Sequence, residues 1–347
     1  MHLRATRSRI TRAARTTTAL IAAATLSLGV AACSDDSDDS ASSDDSSLVE
    51  TEGEFPQTVS TAFGDVTVEE QPQRVVALGW GDAETALALG VQPVGASDWG
   101  GFGGEGLGPW IEESGSTTYE NAPEIIDTRE VDYEAVAALE PDLILDVKSS
   151  GDQDRYDKLS DIATTVGIPD EDAGSFLTGP DEQTTSIATA LGLPEKGEEL
   201  NEDRAEKYAE ISEAHPDWEG QTVSAIGASD TWGVFLEGSA RVDPFLKLGF
   251  TLNEKISAAD PGPNGFSVSL SDENLSDADS DVVLAFPIGK DAEEIESNSA
   301  WQRLEATKDG RSFVVPDEVS SAISLGSPQA YEYALDELVG LLEEHTS

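Results

Sequence analysis

Cysteine and histidine are scarce in this chain of 347 residues. A single cysteine excludes a disulfide framework, so a hydrophobic core must supply the stability. The three histidines, His2, His215 and His345, include no pair at metal-ligand spacing, which argues against direct zinc or manganese binding. The same scarcity leaves Ser-His or Cys-His catalysis unsupported, and no G-x-S-x-G motif is present. We therefore expect no catalytic residues, no direct metal site and no cofactor.

Positive charge is also scarce, with 20 Lys and Arg against 69 Asp and Glu. Five of the basic residues are arginines of the N-terminal leader; without them 15 basic residues face 69 acidic ones, a net charge of −54. Nucleic acid is excluded as a partner, and so is docking on anionic lipid, because both need clustered Lys and Arg. Repulsion between so many carboxylates predicts a protein that salt stabilises, as in a halophilic or halotolerant source.

The N-terminus predicts export and a lipid anchor. A basic leader is followed by an apolar run at 19–32, shorter than the roughly 20 residues of a membrane span. Small residues before Cys33 resemble the lipobox of bacterial lipoproteins, which implies a signal peptide at 1–32 and a lipidated Cys33 on the extracytoplasmic face of the cell membrane. The alternative is an ordinary signal peptide that leaves a free thiol. The Ser- and Asp-rich stretch at 33–54 predicts a disordered acidic tether.

The rest of the chain alternates between predicted strands and helices, which is typical of mostly parallel sheets with helices on their faces. It is also too long for one typical core. We predict two α/β lobes, 55–193 and 217–347, joined by a long helix at 194–216. The predicted apolar stripe of that helix is Leu200, Ala205, Tyr208 and Ile211. Further predictions are a hairpin at 58–68, strands at 74–78, 93–96, 143–147, 222–226, 281–286 and 312–315, and helices at 82–89 (with Asp82 as N-cap), 153–163, 182–191 and 328–342.

Two stretches 139 residues apart share one pattern, in which a glutamate stands eight residues before an aspartate and a buried strand follows. The pairs are Glu134 with Asp142, and Glu273 with Asp281. Each stretch predicts a short helix with the glutamate in its first turn. Tandem repeats have periods of about 20–50 residues, so this spacing indicates two similar lobes that each present a glutamate.

Residues 72–84 and 89–95 resemble the opening of ABC-transporter substrate-binding proteins for ferric siderophores, a group that includes vitamin B12 and haem binders. The resemblance extends from about residue 55 to the C-terminus. It implies two α/β lobes joined by one rigid helix, with the ligand in the cleft between them. It also implies that Glu134 and Glu273 dock on arginines of a permease that works with a cytoplasmic ATPase. We expect a monomer that is not an enzyme.

Candidate ligand contacts follow from the rule that open α/β sheets bind ligands at the carboxyl ends of their strands. Tryptophan offers a flat apolar face with an N–H donor, and Lys and Arg can meet carboxylates or metal-bound oxygens. Each of these residues could instead lie in the core or in solvent. The resemblance adds an arginine just before the first glutamate. The candidates are Trp80, Trp99, Arg129, Lys148, Trp232, Arg241 and Lys290.

The sequence therefore predicts a lipid-anchored receptor that captures a ferric siderophore, as an Fe(III) complex, and delivers it to an ABC permease. One alternative is haem or a corrinoid bound by the same architecture, with Tyr119, Tyr156 and Tyr331 as candidate haem ligands. The alternative from another class is a secreted hydrolase with a carboxylate-based site, which would require acidic residues lining the cleft.

Overall fold

The computed structural model describes residues 53–346 except 114, 117, 128, 129, 172, 173, 175, 263 and 264. These residues belong to one compact unit. The strands are β1 (Gln57–Thr61), β2 (Gly64–Val68), β3 (Val75–Ala77), β4 (Gly95–Ser97), β5 (Glu124–Ile126), β6 (Leu143–Leu145), β7 (Thr164–Val166), β8 (Thr222–Ala228), β9 (Trp232–Phe235), β10 (Thr251–Leu252), β11 (Ser267–Leu270), β12 (Val282–Pro287) and β13 (Ser312–Val314). The helices are α1 (Asp82–Ala88), α2 (Pro109–Glu113), α3 (Tyr133–Ala138), α4 (Gln153–Ser160), α5 (Pro180–Leu191), α6 (Pro194–Ala214), α7 (Asp243–Lys247), α8 (Glu254–Ser257), α9 (Ala292–Ser297), α10 (Glu305–Lys308), α11 (Asp317–Leu325) and α12 (Pro328–His345), with 3-10 helices at Leu275–Ala278 and Trp301–Arg303.

A five-stranded parallel sheet forms the centre of the first lobe, which comprises β1–β7 and α1–α5. Its strand order is β5-β4-β3-β6-β7, so the chain begins in the middle and winds outward in both directions. Every residue of β3 and β6 is buried, as expected for parallel strands covered on both faces. The direction of winding changes between β3 and β6, and ligands bind at such a point in open α/β sheets. The predicted hairpin is confirmed as the antiparallel pair β1-β2.

A six-stranded sheet forms the centre of the second lobe, which comprises β8–β13 and α7–α12. Its order is β11-β9-β8-β12-β13, with β10 paired to the start of β8. Strands β10 and β12 run parallel to β8, and β13 runs parallel to β12, whereas β9 is antiparallel to both β8 and β11. Two antiparallel steps leave β11 running in the direction of β8. The predicted α/β class with mostly parallel sheets is confirmed.

The long helix α6 follows the last helix of the first lobe and packs against α5 and α12. It begins with Pro194 at a position that favours proline, and it ends at His215, where the following proline disfavours helical backbone. Its buried residues are Gly197, Arg204 and Tyr208. The predicted apolar stripe is wrong at Ala205, which is exposed, because the helix buries its neighbour Arg204 in an ion pair with Asp181.

The aspartates of the two repeated stretches have equivalent positions in the two sheets. Asp142 precedes β6 and accepts hydrogen bonds from the backbone N–H groups of Gln73 and Arg74, at 2.7 and 2.9 Å, just before β3. Asp281 precedes β12 and accepts from the N–H and hydroxyl of Thr222, both at 2.8 Å, at the start of β8. Each aspartate thus joins the first strand of its sheet to the strand beside it.

Two further local predictions are wrong. Asp82 is not the N-cap of α1: Gly81 holds that position without a side-chain cap, and Asp82 is the first helical residue with its carboxylate buried. The stretch around Glu273 is not an α-helix with the glutamate in its first turn. Glu273 lies in an exposed turn that leads into the 3-10 helix Leu275–Ala278. At the other repeat the prediction holds, since Asp132 caps α3 and Glu134 lies in its first turn.

Candidate functional site

Trp80, Trp99 and Phe176 form an aromatic cluster at the carboxyl edge of the first sheet. The ring centroids of Trp80 lie 5.9 Å from Trp99 and 5.7 Å from Phe176, and those of Trp99 and Phe176 lie 5.1 Å apart. These residues follow β3, β4 and β7, and parallel strands bring the loops after them to one edge. All three side chains are only partly buried, so ring surface remains for a ligand to cover.

The two indole N–H groups of this cluster differ in their hydrogen bonds. Nε1 of Trp99 donates to the backbone oxygen of Leu78 at 2.9 Å. Nε1 of Trp80 is buried and has no hydrogen-bond partner in the part of the chain that the structure describes. A buried donor without a partner costs about 1–3 kcal/mol, and a ligand oxygen would remove that cost.

Arg241 is the cation that the second lobe contributes. Its guanidinium lies over the rings of Phe235 and Phe286, at 5.3 and 5.8 Å from their centroids. Nη2 donates to the hydroxyl of Ser324 at 2.9 Å, whereas Nε is buried without a partner among the described residues. Burial lowers the pKa of Arg241. The guanidinium remains charged at neutral pH and retains an N–H for an acceptor.

Lys148 lies between the two lobes and is 1% exposed. Its ammonium donates to the backbone oxygens of Ser324 and Leu325, at 2.9 and 3.2 Å, in the last turn of α11. It also lies 5.9 Å from the ring centroid of Trp80. Burial lowers the pKa of Lys148 to about 8. The predicted ligand contact is thus adjacent to the aromatic cluster, but its ammonium is directed at backbone carbonyls.

Two carboxylates of α1 are buried. Asp82 accepts from the N–H of Val147 at 2.8 Å and from Nε2 of Gln183 at 2.7 Å, and burial raises its pKa to about 7. Glu84 accepts from the hydroxyl of Ser327 in the second lobe, and burial raises its pKa. Its other donors are Gly108 N at 3.0 Å and Trp110 Nε1 at 2.9 Å. Protein donors therefore occupy both carboxylates.

A groove of about 980 Å³ continues from the aromatic cluster along the first lobe. It is lined by Trp99 and Phe176 and by residues at the beginnings of α3 and α4. Among the described residues, its cations are Arg155, which is paired with Asp146 at 2.6 Å, and Lys158, whose ammonium lies 5.3 Å from the ring centroid of Tyr133. The groove extends from the candidate ligand site to the beginning of α3, the helix that carries Glu134.

Trp232 and Lys290 lie together, apart from this cluster. Trp232 is 1% exposed and belongs to the core on the opposite face of the second sheet from Phe235. Its Nε1 donates to Oδ1 of Asp272 at 2.7 Å, and the ammonium of Lys290 lies 5.0 Å from its ring centroid. Trp232 was predicted from its place beside a strand end, but its ring points into the packed face of the sheet.

Both repeat glutamates lie at the carboxyl edges of their sheets. Glu134 is exposed in the helix that follows the parallel strand β5, and Asp132 fixes the start of that helix through the N–H groups of Glu134 and Ala135. Glu273 is exposed in the turn after β11, which runs in the direction of β8. Glu134 therefore shares the edge of the first sheet with the loops that carry the aromatic cluster, and Glu273 stands at the corresponding edge of the second sheet.

Several predicted features lie outside the described residues: the signal peptide 1–32, Cys33, the tether as far as residue 52, and Arg129. Gly53, at the end of the predicted tether, donates its N–H to the oxygen of Gly192 at 3.0 Å. Within the described ranges, no group of three His, Cys, Asp or Glu side chains could hold a metal ion. None of the helices found there combines the length and the apolar character of a membrane span.

Phe176 and Ser324 are the site residues that sequence reasoning missed. Phe176 follows its strand by ten residues and adopts a φ of 65°, which is uncommon for a residue other than glycine. Ser324 lies in a helix of the second lobe, 176 residues after the lysine that contacts it. Neither residue carries a local sequence signal for these contacts.

Two α/β lobes with a candidate ligand site between them define a solute-binding protein. The sequence matches the periplasmic binding protein family over residues 75–319, and the chain belongs to that family. A relative from Bacillus subtilis (strain 168), named a probable siderophore-binding lipoprotein, YfiY, is 29% identical over 84% of this chain and 90% of its own length.

Solved structures agree on the fold. A periplasmic solute binding protein from Mycobacterium smegmatis has a TM-score of 0.71 at 25% identity, covering 84% of this chain and 99% of its own. PiaA of Streptococcus pneumoniae TIGR4, solved in complex with ferrichrome, has a TM-score of 0.69 at 24% identity, covering 83% of this chain and 98% of its own.

Proposed function

We propose that this protein captures a ferric siderophore outside the cytoplasm and delivers it to an ABC permease for iron uptake. Membership in the periplasmic binding protein family supports a binding role. The name of the Bacillus subtilis relative and the ferrichrome complex of PiaA support this class of ligand. The observation that carries the proposal is the aromatic cluster, which Lys148 and Ser324 connect to Arg241 of the second lobe. Among the described residues, each lobe has one buried donor without a partner at this place.

The chemistry of this site suits a ferric siderophore. Such a complex presents a bulky, partly apolar shell and a set of metal-bound oxygens that accept hydrogen bonds. The partly exposed rings of Trp80, Trp99 and Phe176 can cover the shell. Nε of Arg241 and Nε1 of Trp80, both unpaired within the described residues, can donate to the oxygens. The protein thus needs no direct ligand to the iron.

The alternatives fit the site less well. Tyr119 is buried in the first-lobe core, Tyr156 stacks on Phe63 with centroids 4.0 Å apart, and Tyr331 packs against Tyr208. None of the three tyrosines belongs to the aromatic cluster, which disfavours haem ligation by tyrosine. The buried carboxylates of α1 are occupied by protein donors, so they offer no hydrolytic pair. We infer binding and transport without catalysis.

The ligand proposal is tested by calorimetric and tryptophan-fluorescence titration of residues 53–347. The panel comprises ferrichrome, ferric enterobactin, ferric citrate, haem and cobalamin. We expect a ferric siderophore to bind and Arg241→Gln to weaken it about 10- to 100-fold, because a hydrogen bond to a charged group contributes about 1.5–3 kcal/mol. Arg303→Gln, an exposed residue bonded to Asp272, is the charge-matched control. Binding of haem or cobalamin alone would contradict the proposal.

We further propose that Glu134 and Glu273 dock on arginines of the permease. Both are exposed at the carboxyl edges of their sheets, and charged pairs across an interface fix register and raise association rates. Replacing both by alanine should abolish siderophore uptake by cells and leave the Kd unchanged. The control is Glu254→Ala together with Glu195→Ala, two exposed first-turn glutamates. Uptake at the normal rate by the Glu134/Glu273 variant would disprove docking through these residues.

We propose that lipid on Cys33 anchors the protein at the membrane. Two or more acyl chains are needed for a stable anchor, and bacterial lipoproteins carry at least two. Cys33→Ser should therefore release the protein into the medium or the periplasm, as measured by immunoblotting of cell fractions. Retention of the serine variant in the membrane fraction would overturn this assignment.

A further inference from the structure

The turn between α11 and α12 is held by the first lobe at two points. Lys148 donates from its ammonium to the last two carbonyls of α11, those of Ser324 and Leu325. Two residues later the hydroxyl of Ser327 donates to the buried carboxylate of Glu84. A cation is favoured at the C-terminus of a helix, where backbone oxygens lack intrahelical partners. These contacts fix the last turn of α11 relative to the first lobe.

Ser324 also holds Arg241, the candidate ligand contact of the second lobe. The hydroxyl of Ser324 accepts from Nη2 of Arg241 at 2.9 Å and donates to the oxygen of Ser320 at 2.8 Å. Its backbone oxygen accepts from Lys148 at 2.9 Å. Lys148 in one lobe and Arg241 in the other are therefore connected through one residue.

The turn is shaped to admit the lysine. Gly326 has a φ of 74°, and a Cβ placed there would lie 3.0 Å from Nζ of Lys148. The backbone of the first lobe also approaches closely, since a Cβ on Gly81 would lie 2.6 Å from the oxygen of Leu325. Glycine at both positions leaves the space in which a buried lysine reaches the carbonyls.

We propose that Lys148 is a positioning residue: through Ser324 it fixes the position of the Arg241 guanidinium at the candidate ligand site. This inference rests on the proposed function of Arg241 as a ligand contact. Lys148 then contributes to the affinity for the ligand, although its ammonium does not contact the ligand. It also makes the affinity depend on the first lobe staying in contact with α11.

A double-mutant cycle tests the proposal. Lys148→Met removes the ammonium while keeping a long side chain, and Ser324→Ala removes the hydroxyl while keeping the backbone acceptor of the lysine. We expect each to weaken whichever of ferrichrome, ferric enterobactin and ferric citrate binds most tightly, by about tenfold. Neither should weaken binding further in the Arg241→Gln background. Lys255→Met, a control on an exposed lysine, should leave the Kd unchanged.

Loss of affinity by the same factor in the Arg241→Gln background would overturn the proposal, as would an unchanged Kd in both single variants. A second measurement needs no ligand: the Nε–H resonance of Arg241, assigned by its loss in Arg241→Gln, followed by NMR. We expect faster solvent exchange of this proton in Lys148→Met and in Ser324→Ala, and an unchanged exchange rate in both would refute positioning. If none of the three siderophores binds, the proposed function fails while the resonance still decides whether Lys148 positions Arg241.

Discussion

Replacing Asp82 by asparagine should remove the contribution of this buried carboxyl to the pH dependence of stability below neutral pH. The carboxyl is fully buried, and its pKa rises from 3.8 to about 7 because burial penalises the charged form. Hydrogen bonds from Gln183 and Val147 oppose this shift, and nearby Asp146 adds to it. Since each pH unit between the two pKa values corresponds to about 1.4 kcal/mol, the full difference is about 4 kcal/mol.

The direction in which stability changes with pH follows from proton binding in the folded and unfolded states. Between pH 3.8 and about 7 the unfolded chain has released this proton while the folded protein still holds it. The contribution of Asp82 to stability is therefore fully present below pH 3.8, falls as the pH rises, and is lost by about pH 7. Asparagine cannot ionise. The unfolding free energy of the wild type minus that of Asp82→Asn should fall by about 4 kcal/mol between pH 4 and 7 and stay constant above.

Urea unfolding of residues 53–347 at half-unit steps from pH 4 to 8 measures this difference. Subtracting the unfolding free energy of Asp82→Asn from that of the wild type cancels the contributions of the many other carboxylates. Asp154→Asn, on the exposed first turn of α4, is the control for losing one negative charge. A wild-type-minus-Asp82→Asn difference that is flat from pH 4 to 7 would refute the reasoning, because it would mean that the buried carboxyl ionises as it does in water.

Three further predictions concern glycine geometry, charge and the Glu273 turn. Gly326→Ala should lower the unfolding free energy by more than Gly310→Ala: both have φ near 75°, but only Gly326 has a buried ammonium 3.0 Å from the new Cβ. Urea unfolding measures the two, and equal losses would contradict the tight contact. The melting temperature should rise between about 0.15 and 1 M KCl, because the Debye length falls from about 8 to 3 Å; a constant or falling value would contradict charge repulsion. Trp232→Phe keeps an aromatic ring in the core but removes the hydrogen bond to Asp272, next to Glu273. It should therefore lower the affinity for the permease and leave the siderophore affinity intact. Weaker siderophore binding would instead support Trp232 as a ligand contact.

The central strands were predictable because their sequence pattern is local. Strands β3, β6 and β8 lie within or overlap the predicted segments 74–78, 143–147 and 222–226, which are rich in Val, Ile, Leu and Ala. Parallel strands buried on both faces have such compositions whatever their neighbours are. The hairpin and the helix at 194–214 were also predictable, since glycine and proline punctuate the chain at their ends.

The start of α1 was not predictable from local preference. Aspartate before an apolar run is a common N-cap, and that preference led to the wrong role for Asp82. Its partners Val147 and Gln183 stand 65 and 101 residues further along the chain. Those tertiary contacts bury the carboxylate inside the first turn and leave the N-cap position to Gly81.

The part of the candidate site that depends on strand topology was predictable. The loops after parallel strands meet at one edge, so Trp80, Trp99 and Lys148 could be expected near one another. The rule does not apply to Arg241, because it follows the antiparallel strand β9, and it misplaced Trp232, whose ring lies on the other face of the sheet. Which face a ring occupies depends on the pairing partner, and that information is absent from the local sequence.

The two repeated stretches are equivalent in position but not in local structure. Their aspartates join equivalent strands in the two sheets, whereas Glu134 lies in a capped helix and Glu273 in a turn fixed through Asp272 and Trp232. What the lobes share is that each glutamate stands at the carboxyl edge of its own sheet; in the first lobe that edge also carries the loops of the aromatic cluster. A permease that contacts Glu134 would therefore lie beside the candidate ligand site. We expect docking and release to be coupled through that edge of the first lobe.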